Sequence, residues 1–216
     1  MRILPTIDPP RMALLVIDMQ EAFLEPSGVM YLPQGAAIVP SVARVAAFCR
    51  AAGMTVVWTR MSHERMRQGI YPELFPQHFN ADGSPKLTRD TPGYQIHADL
   101  GAVSGDVFVD KFAYSAFDGT ELEAVLRRAG CDTVVIAGIA TNVCCESTAR
   151  DAFAHGFRVI TLSDATATGN EEVQVASLKT LGLAFGYVVS SEELHVRVSG
   201  GGSDGAQAQG LIGGLD

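Results

Sequence analysis

The chain predicts an α/β fold: a single parallel sheet, doubly wound, with helices on both of its faces. Three observations carry that reading. Short, almost purely apolar runs recur along the chain, as strands buried on both faces require. Segments with helical start signals, apolar periodicity or glycine stops separate those runs. Reactive residues fall where the runs end, and open parallel sheets bind their ligands beyond the carboxyl ends of strands.

The first run, Met12–Ile17, is a strand that stops at Asp18. A loop rich in proline and glycine leads to a helix over Ile38–Ala52. Its apolar face uses Val42, Val45, Ala46 and Cys49, and Gly53 ends it. Strand Met54–Thr59 follows. From Arg60 to Gly105 no period persists; Pro72, Pro76, Pro85 and Pro92 interrupt the segment, which reads as a functional insertion or lid. Strand Asp106–Asp110 resumes the sheet. Asp118, with Glu121 three residues on, marks the start of a helix over Glu121–Ala129 closed by Gly130. Next come strand Thr133–Ala137, a cysteine-bearing helix reaching His155 and Gly156, and strand Phe157–Leu162. Asn170 caps a helix over Glu171–Leu181, and Tyr187–Val189 is the last strand. Residues 1–198 thus make one Rossmann-like domain, and the Gly- and Ser-rich tail Ser199–Asp216 is expected to be flexible.

A chain of 216 residues is long enough to cover a sheet on both faces. Its formal charge of −8, with no Lys/Arg run, argues against a nucleic-acid partner. No apolar run nears the ~20 residues needed to cross a bilayer, and the N-terminus lacks a basic-plus-apolar signal. No membrane association and a cytoplasmic location are therefore expected. The cysteines Cys49, Cys131, Cys144 and Cys145 show neither a disulfide framework nor a C-x-x-C metal pair. Cys49, Cys131 and Cys145 read as small core fillers.

The chemistry gathers at three strand ends. Met12–Ile17 delivers Asp18, and Val107-Phe108-Val109 leads to Asp110-Lys111. Thr133–Ala137 leads through Gly138-Ile139-Ala140-Thr141-Asn142-Val143 to Cys144, at a helix start whose free amides and dipole favour a thiolate. Cys144 would attack a carbonyl carbon, Lys111 would hold the thiolate, and Asp18 would take and return the proton. Backbone amides of the turn before Cys144 would stabilise the oxyanion.

These residues carry a resemblance. Asp18-Met19-Gln20 with Phe23, Lys111-Phe112-Ala113-Tyr114-Ser115-Ala116-Phe117 followed by Gly119-Thr120, and Gly138 to Cys144 are similar to the isochorismatase-like cysteine hydrolases, over roughly Met12 to Leu194. That superfamily includes nicotinamidase and the carbamoylsarcosine, ureidoacrylate, maleamate and biuret amidohydrolases. The resemblance implies an Asp–Lys–Cys triad at Asp18, Lys111 and Cys144. It also implies a cis Ile139–Ala140 peptide that aims the Ala140 and Cys144 amides at the oxyanion, and a homodimer or homotetramer. Nicotinamidases carry an Asp-x-His metal motif after the second strand. Here that place reads Trp58-Thr59-Arg60-Met61-Ser62-His63, so neither a metal nor any other cofactor is expected.

Cysteine-dependent cleavage of a small amide or ureide through a thioester, releasing ammonia, is the function this sequence predicts. Isochorismatase-type ether hydrolysis and a redox or binding protein using Cys144-Cys145 are the alternatives. Phe23, Trp58, Arg60, Tyr114, Phe117 and Asn142 are the candidate substrate-binding residues. Arg60, Arg65, Arg67 and Arg89 of the insertion are expected to favour a substrate with an anionic end, placing ureidoacrylate-like and maleamate-like compounds above nicotinamide.

Overall fold

The strands β1 (Met12–Ile17), β2 (Thr55–Met61), β3 (Val107–Lys111), β4 (Thr133–Ile139), β5 (Arg158–Ala167) and β6 (Tyr187–Val189) form one sheet in a computed structural model that describes residues 7–66 and 70–200. All six run parallel in the order β3-β2-β1-β4-β5-β6. The chain winds outward from β1 to one edge and then restarts at β4 beside β1. The carboxyl ends of β1 and β4 therefore flank the switch point where such sheets bind ligands. Arg67 and the tail beyond Gly200 fall outside the described residues.

Alternation along β1 splits the core in two. Met12, Leu14 and Val16 pack with Val42, Val45 and Cys49 of helix α1 (Val39–Ala51). Ala13, Leu15 and Ile17 face Leu122 and Leu126 of α2 (Leu122–Arg128) and Ala149 of α3 (Glu146–Ala154). Covering both faces explains why this strand has no polar residue. Cys49, Cys131 and Cys145 lie in these clusters as buried free thiols. Among the described residues no helix is long and apolar enough to cross a membrane.

Several boundaries move in ways that matter for the site. β2 continues past Thr59 to Met61, and β4 past Ala137 to Ile139. Asp118 does not cap α2; the Thr120 hydroxyl accepts the Leu122 amide instead. Cys144 lies in a π-helical turn, Thr141–Cys145, and α3 begins only at Glu146. α4 (Glu171–Thr180) is capped by Asn170, whose side chain accepts from the Val173 amide. β5 runs five residues beyond Leu162, with a register shift opposite Ile136 and Gly138. There Asp164 accepts hydrogen bonds from the Ser191 amide and hydroxyl, anchoring a helix the sequence reading omitted, α5 (Ser191–Ser199).

One glycine is required by contact as well as by conformation. Gly138 of β4 pairs with Ile17 of β1 at φ 109°, and a Cβ there would lie 2.2 Å from the Ile17 carbonyl oxygen. The two strands that deliver Asp18 and the cysteine turn thus meet at backbone distance.

Candidate active site

Asp18 follows β1 with φ 51°, a left-handed conformation that a short carboxylate side chain tolerates better than most. Thr59 of β2 fixes it doubly. Its hydroxyl donates to Asp18 Oδ1 at 2.7 Å and accepts from the Asp18 amide at 3.0 Å. Gln20 ties the same loop to β2: its Oε1 accepts from the Met61 amide, and its Nε2 donates to the Met61 and Tyr94 carbonyls. The Asp18-Met19-Gln20 motif thereby joins two strand ends to the insertion.

Lys111 closes β3 and is fully buried. Its Nζ lies 2.8 Å from Asp18 Oδ2 and 3.4 Å from Cys144 Sγ. It also donates to the carbonyls of Ala113 at 2.9 Å and Tyr114 at 3.1 Å. Burial alone would lower the Lys111 pKa, but Asp18 and Cys144 outweigh it and the net shift is upward. Lys111 is therefore a fixed cation. Asp18 Oδ2 makes this ion-pair contact, and the Cys144 thiol is its other close neighbour.

The helix-start argument predicted a thiolate at Cys144, and burial overrides it. Desolvation pushes the thiol up to about 12 even though Lys111 pulls the other way. Burial and the neighbouring Asp18 thus act against the thiolate, and Lys111 acts for it. The preceding Ile139–Ala140 peptide is cis, and the Ala140 carbonyl accepts the Val143 and Cys145 amides.

The structure brings Asp18, Lys111, Cys144 and Tyr114 together and draws several other candidates elsewhere. Trp58 is fully buried, with Nε1 donating to Asp106 at 2.8 Å, and serves the core. Arg60 turns to the opposite side of β2 from Thr59, paired with Asp110 at 2.6 Å and lying over the Tyr94 ring. Phe117 packs against His155 and Phe157. Asn142 is exposed and accepts from the Thr168 hydroxyl. Half-buried Phe23 packs on the core and on a small cluster of Ala22, Leu87 and Tyr94.

What the sequence reading missed is Thr59, together with Tyr71 and His78, which join His63 and Tyr114 in a polar aromatic wall. The Tyr71 hydroxyl lies 3.3 Å from His63 Nε2 and 2.8 Å from His78 Nδ1. The two imidazoles stack at 5.4 Å, and the Tyr71 ring meets Tyr114 edge-on at 6.3 Å. This wall senses the triad: the Lys111 charge helps depress His63, and Cys144 helps raise Tyr71 and Tyr114, burial being the larger cause in each. No regular period in the insertion signals it.

Fold and geometry agree with known proteins. Residues 12–193 match the Isochorismatase domain family, and the chain belongs to the isochorismatase-like hydrolases. It is 38% identical over 185 residues to nicotinamidase 3 of Arabidopsis thaliana, covering 85% of this chain and 86% of that relative. A cysteine hydrolase from Pseudomonas syringae pv. phaseolicola superposes with TM-score 0.84 at 34% identity, over 92% of this chain and 97% of the other. A pyrazinamidase of Pyrococcus horikoshii, solved in complex with zinc, gives TM-score 0.70 at 32% identity, over 84% and 99%.

The donors present here do not fit such a metal. Met61 contributes only a thioether, 3.5 Å from Lys111 Nζ, and His63 and His78 both engage Tyr71. Among the described residues no three His, Cys, Asp or Glu side chains converge to hold an ion, whereas a hydrolytic zinc site uses three protein ligands.

Proposed function

We propose that this hydrolase is a cysteine amidase that cleaves small, flat, uncharged primary carboxamides. The observation that carries the reading is the chain of contacts from Cys144 Sγ to Lys111 Nζ at 3.4 Å and on to Asp18 Oδ2 at 2.8 Å. As Sγ bonds to the carbonyl carbon, Asp18 takes the thiol proton. The Ala140 and Cys144 amides hold the oxyanion. The C–N bond then breaks, and Asp18 returns the proton to the departing nitrogen as ammonia leaves. Water, deprotonated by Asp18, opens the thioester to acid and thiol. A dithiol chemistry finds no support, because the Cys145 side chain is fully buried in the core.

The substrate's neutrality rests on the arginines. Arg60 is paired with Asp110, Arg89 with Glu64, and Arg65 lies 4.1 Å from the centre of the Phe112 ring. Among the described residues, three of the four arginines behind the preference for an anionic end are thus engaged elsewhere. The wall of Tyr71, Tyr114, His63 and His78 suits a flat uncharged group, and relatives named nicotinamidase and pyrazinamidase point to small amides. Ammonia release across nicotinamide, pyrazinamide, maleamate and ureidoacrylate, with Cys144→Ala as blank, tests this. The uncharged ring amides should be the best substrates; faster turnover of the anionic ones contradicts it.

A further inference from the structure

His63 is almost completely buried, at 1% exposure, yet its Nδ1 has no hydrogen-bond partner among the described residues. A buried ring nitrogen left unpaired costs free energy, so one beside a reactive site calls for a group that completes it. Tyr71 decides what that nitrogen can do. Its hydroxyl has one proton and two imidazole neighbours, and the shorter contact is to His78 Nδ1. Donating there, the hydroxyl accepts the His63 Nε2 proton and leaves the lone pair on His63 Nδ1. Protonation of both nitrogens is resisted by burial first, then by the charges of His78 and Lys111. The ring is a neutral acceptor, fixed in orientation by Tyr71 and by the stacked His78.

Resting on the amidase reading above, we infer that His63 is a specificity-determining residue whose Nδ1 accepts a hydrogen bond from an N–H or O–H of the substrate other than the scissile amide. Asp18 Oδ2 and His63 Nδ1 are then two buried acceptors with two tasks. The first handles the reacting amide; the second reads the ring or chain attached to it. A site with a buried acceptor discriminates strongly against a ligand that cannot satisfy it, so ring amides bearing a ring N–H or O–H should exceed nicotinamide and pyrazinamide, whose uncharged rings still place them above the anionic amides.

Matched ring amides test this with the full-length enzyme. Pyrrole-2- and pyrrole-3-carboxamide carry a ring N–H; the corresponding furan carboxamides replace it with an acceptor oxygen of similar shape. The pyrrole-to-furan ratio of kcat/KM in the wild type, for at least one isomer pair, should fall about tenfold in His63→Gln. His63→Gln keeps a polar group for Tyr71 but loses the Nδ1 acceptor. His63→Asn, which keeps an acceptor near the Nδ1 position, should restore much of the ratio. An unchanged ratio in His63→Gln overturns the inference, as does a wild-type preference for furans that His63→Gln abolishes. So does a bound metal, found by elemental analysis of the wild type and lost in His63→Gln. No ammonia from any of these amides overturns the amidase reading itself, whereas turnover without donor discrimination overturns only the role of His63.

Discussion

Asp18 is held from three sides: by the Thr59 hydroxyl at Oδ1, by Lys111 at Oδ2, and by its own amide bonded back to Thr59. In the proposed mechanism the carboxylate receives and returns one proton in a fixed direction, which depends on all three. Thr59→Val keeps the shape of the side chain but strands Asp18 Oδ1 and the Asp18 amide. It should lower kcat about 10- to 100-fold with a smaller change in KM, and Thr59→Ser should recover most of the loss. Cys144→Ala, Lys111→Ala and Asp18→Asn should each remove at least about a thousandfold of turnover, because nucleophile, charge and proton carrier act as one unit. Cys145→Ala should retain activity. Ammonia assays on purified variants read all six. The three central residues were legible in the sequence because each ends an apolar run, and parallel topology brings such ends together. Thr59 was not, because the run before it was read as stopping there, while β2 continues to Met61 and turns the hydroxyl toward Asp18.

At the scale of elements, the site depends on how closely β1 and β4 approach. Gly138→Ala would place a methyl group against the Ile17 carbonyl in a conformation that L side chains avoid. It should destabilise the fold by roughly 3 kcal/mol or more and abolish activity together, seen as a lowered urea midpoint. A Gly138→Ala protein of unchanged stability contradicts the close approach. Buried strands and the helix over Val39–Ala51 were readable from period and punctuation. The helix Ser191–Ser199 was missed although Ser190 and Glu193 form a capping box, a signal present in the sequence and passed over. The insertion hid its aromatic wall for a physical reason: Tyr71, His63 and His78 meet through loop geometry that leaves no periodic trace. Trp58 and Arg60 misled in the opposite way, standing at a strand end but finding partners in Asp106 and Asp110.

For the whole molecule, the wall couples the site to folding. An unfolded chain protonates His63 near pH 6.5, whereas burial, His78 and Lys111 hold the folded ring down to about 4. The unfolded state binds the extra proton, so this group's contribution is present above pH 6.5 and is lost as pH falls toward 4. The loss is roughly 3 kcal/mol. Urea titrations at pH 7 and pH 4.5 should therefore show a smaller drop in stability for His63→Gln than for wild type; equal drops contradict the depressed pKa. Because the described donors beside the triad do not make a metal site, prolonged EDTA treatment should leave the rate unchanged. Activity lost to chelation and restored by zinc or manganese would reveal ligands this geometry does not show.

The central claim is that Cys144 carries the acyl group, and intact-protein mass spectrometry during turnover of a ring carboxamide tests it most directly. Quenching in acid should trap a fraction of the enzyme heavier by the acyl group, with the added mass on the peptide containing Cys144 and absent from Cys144→Ala. Steady ammonia release with no such adduct, or an adduct on Cys145, would contradict the account.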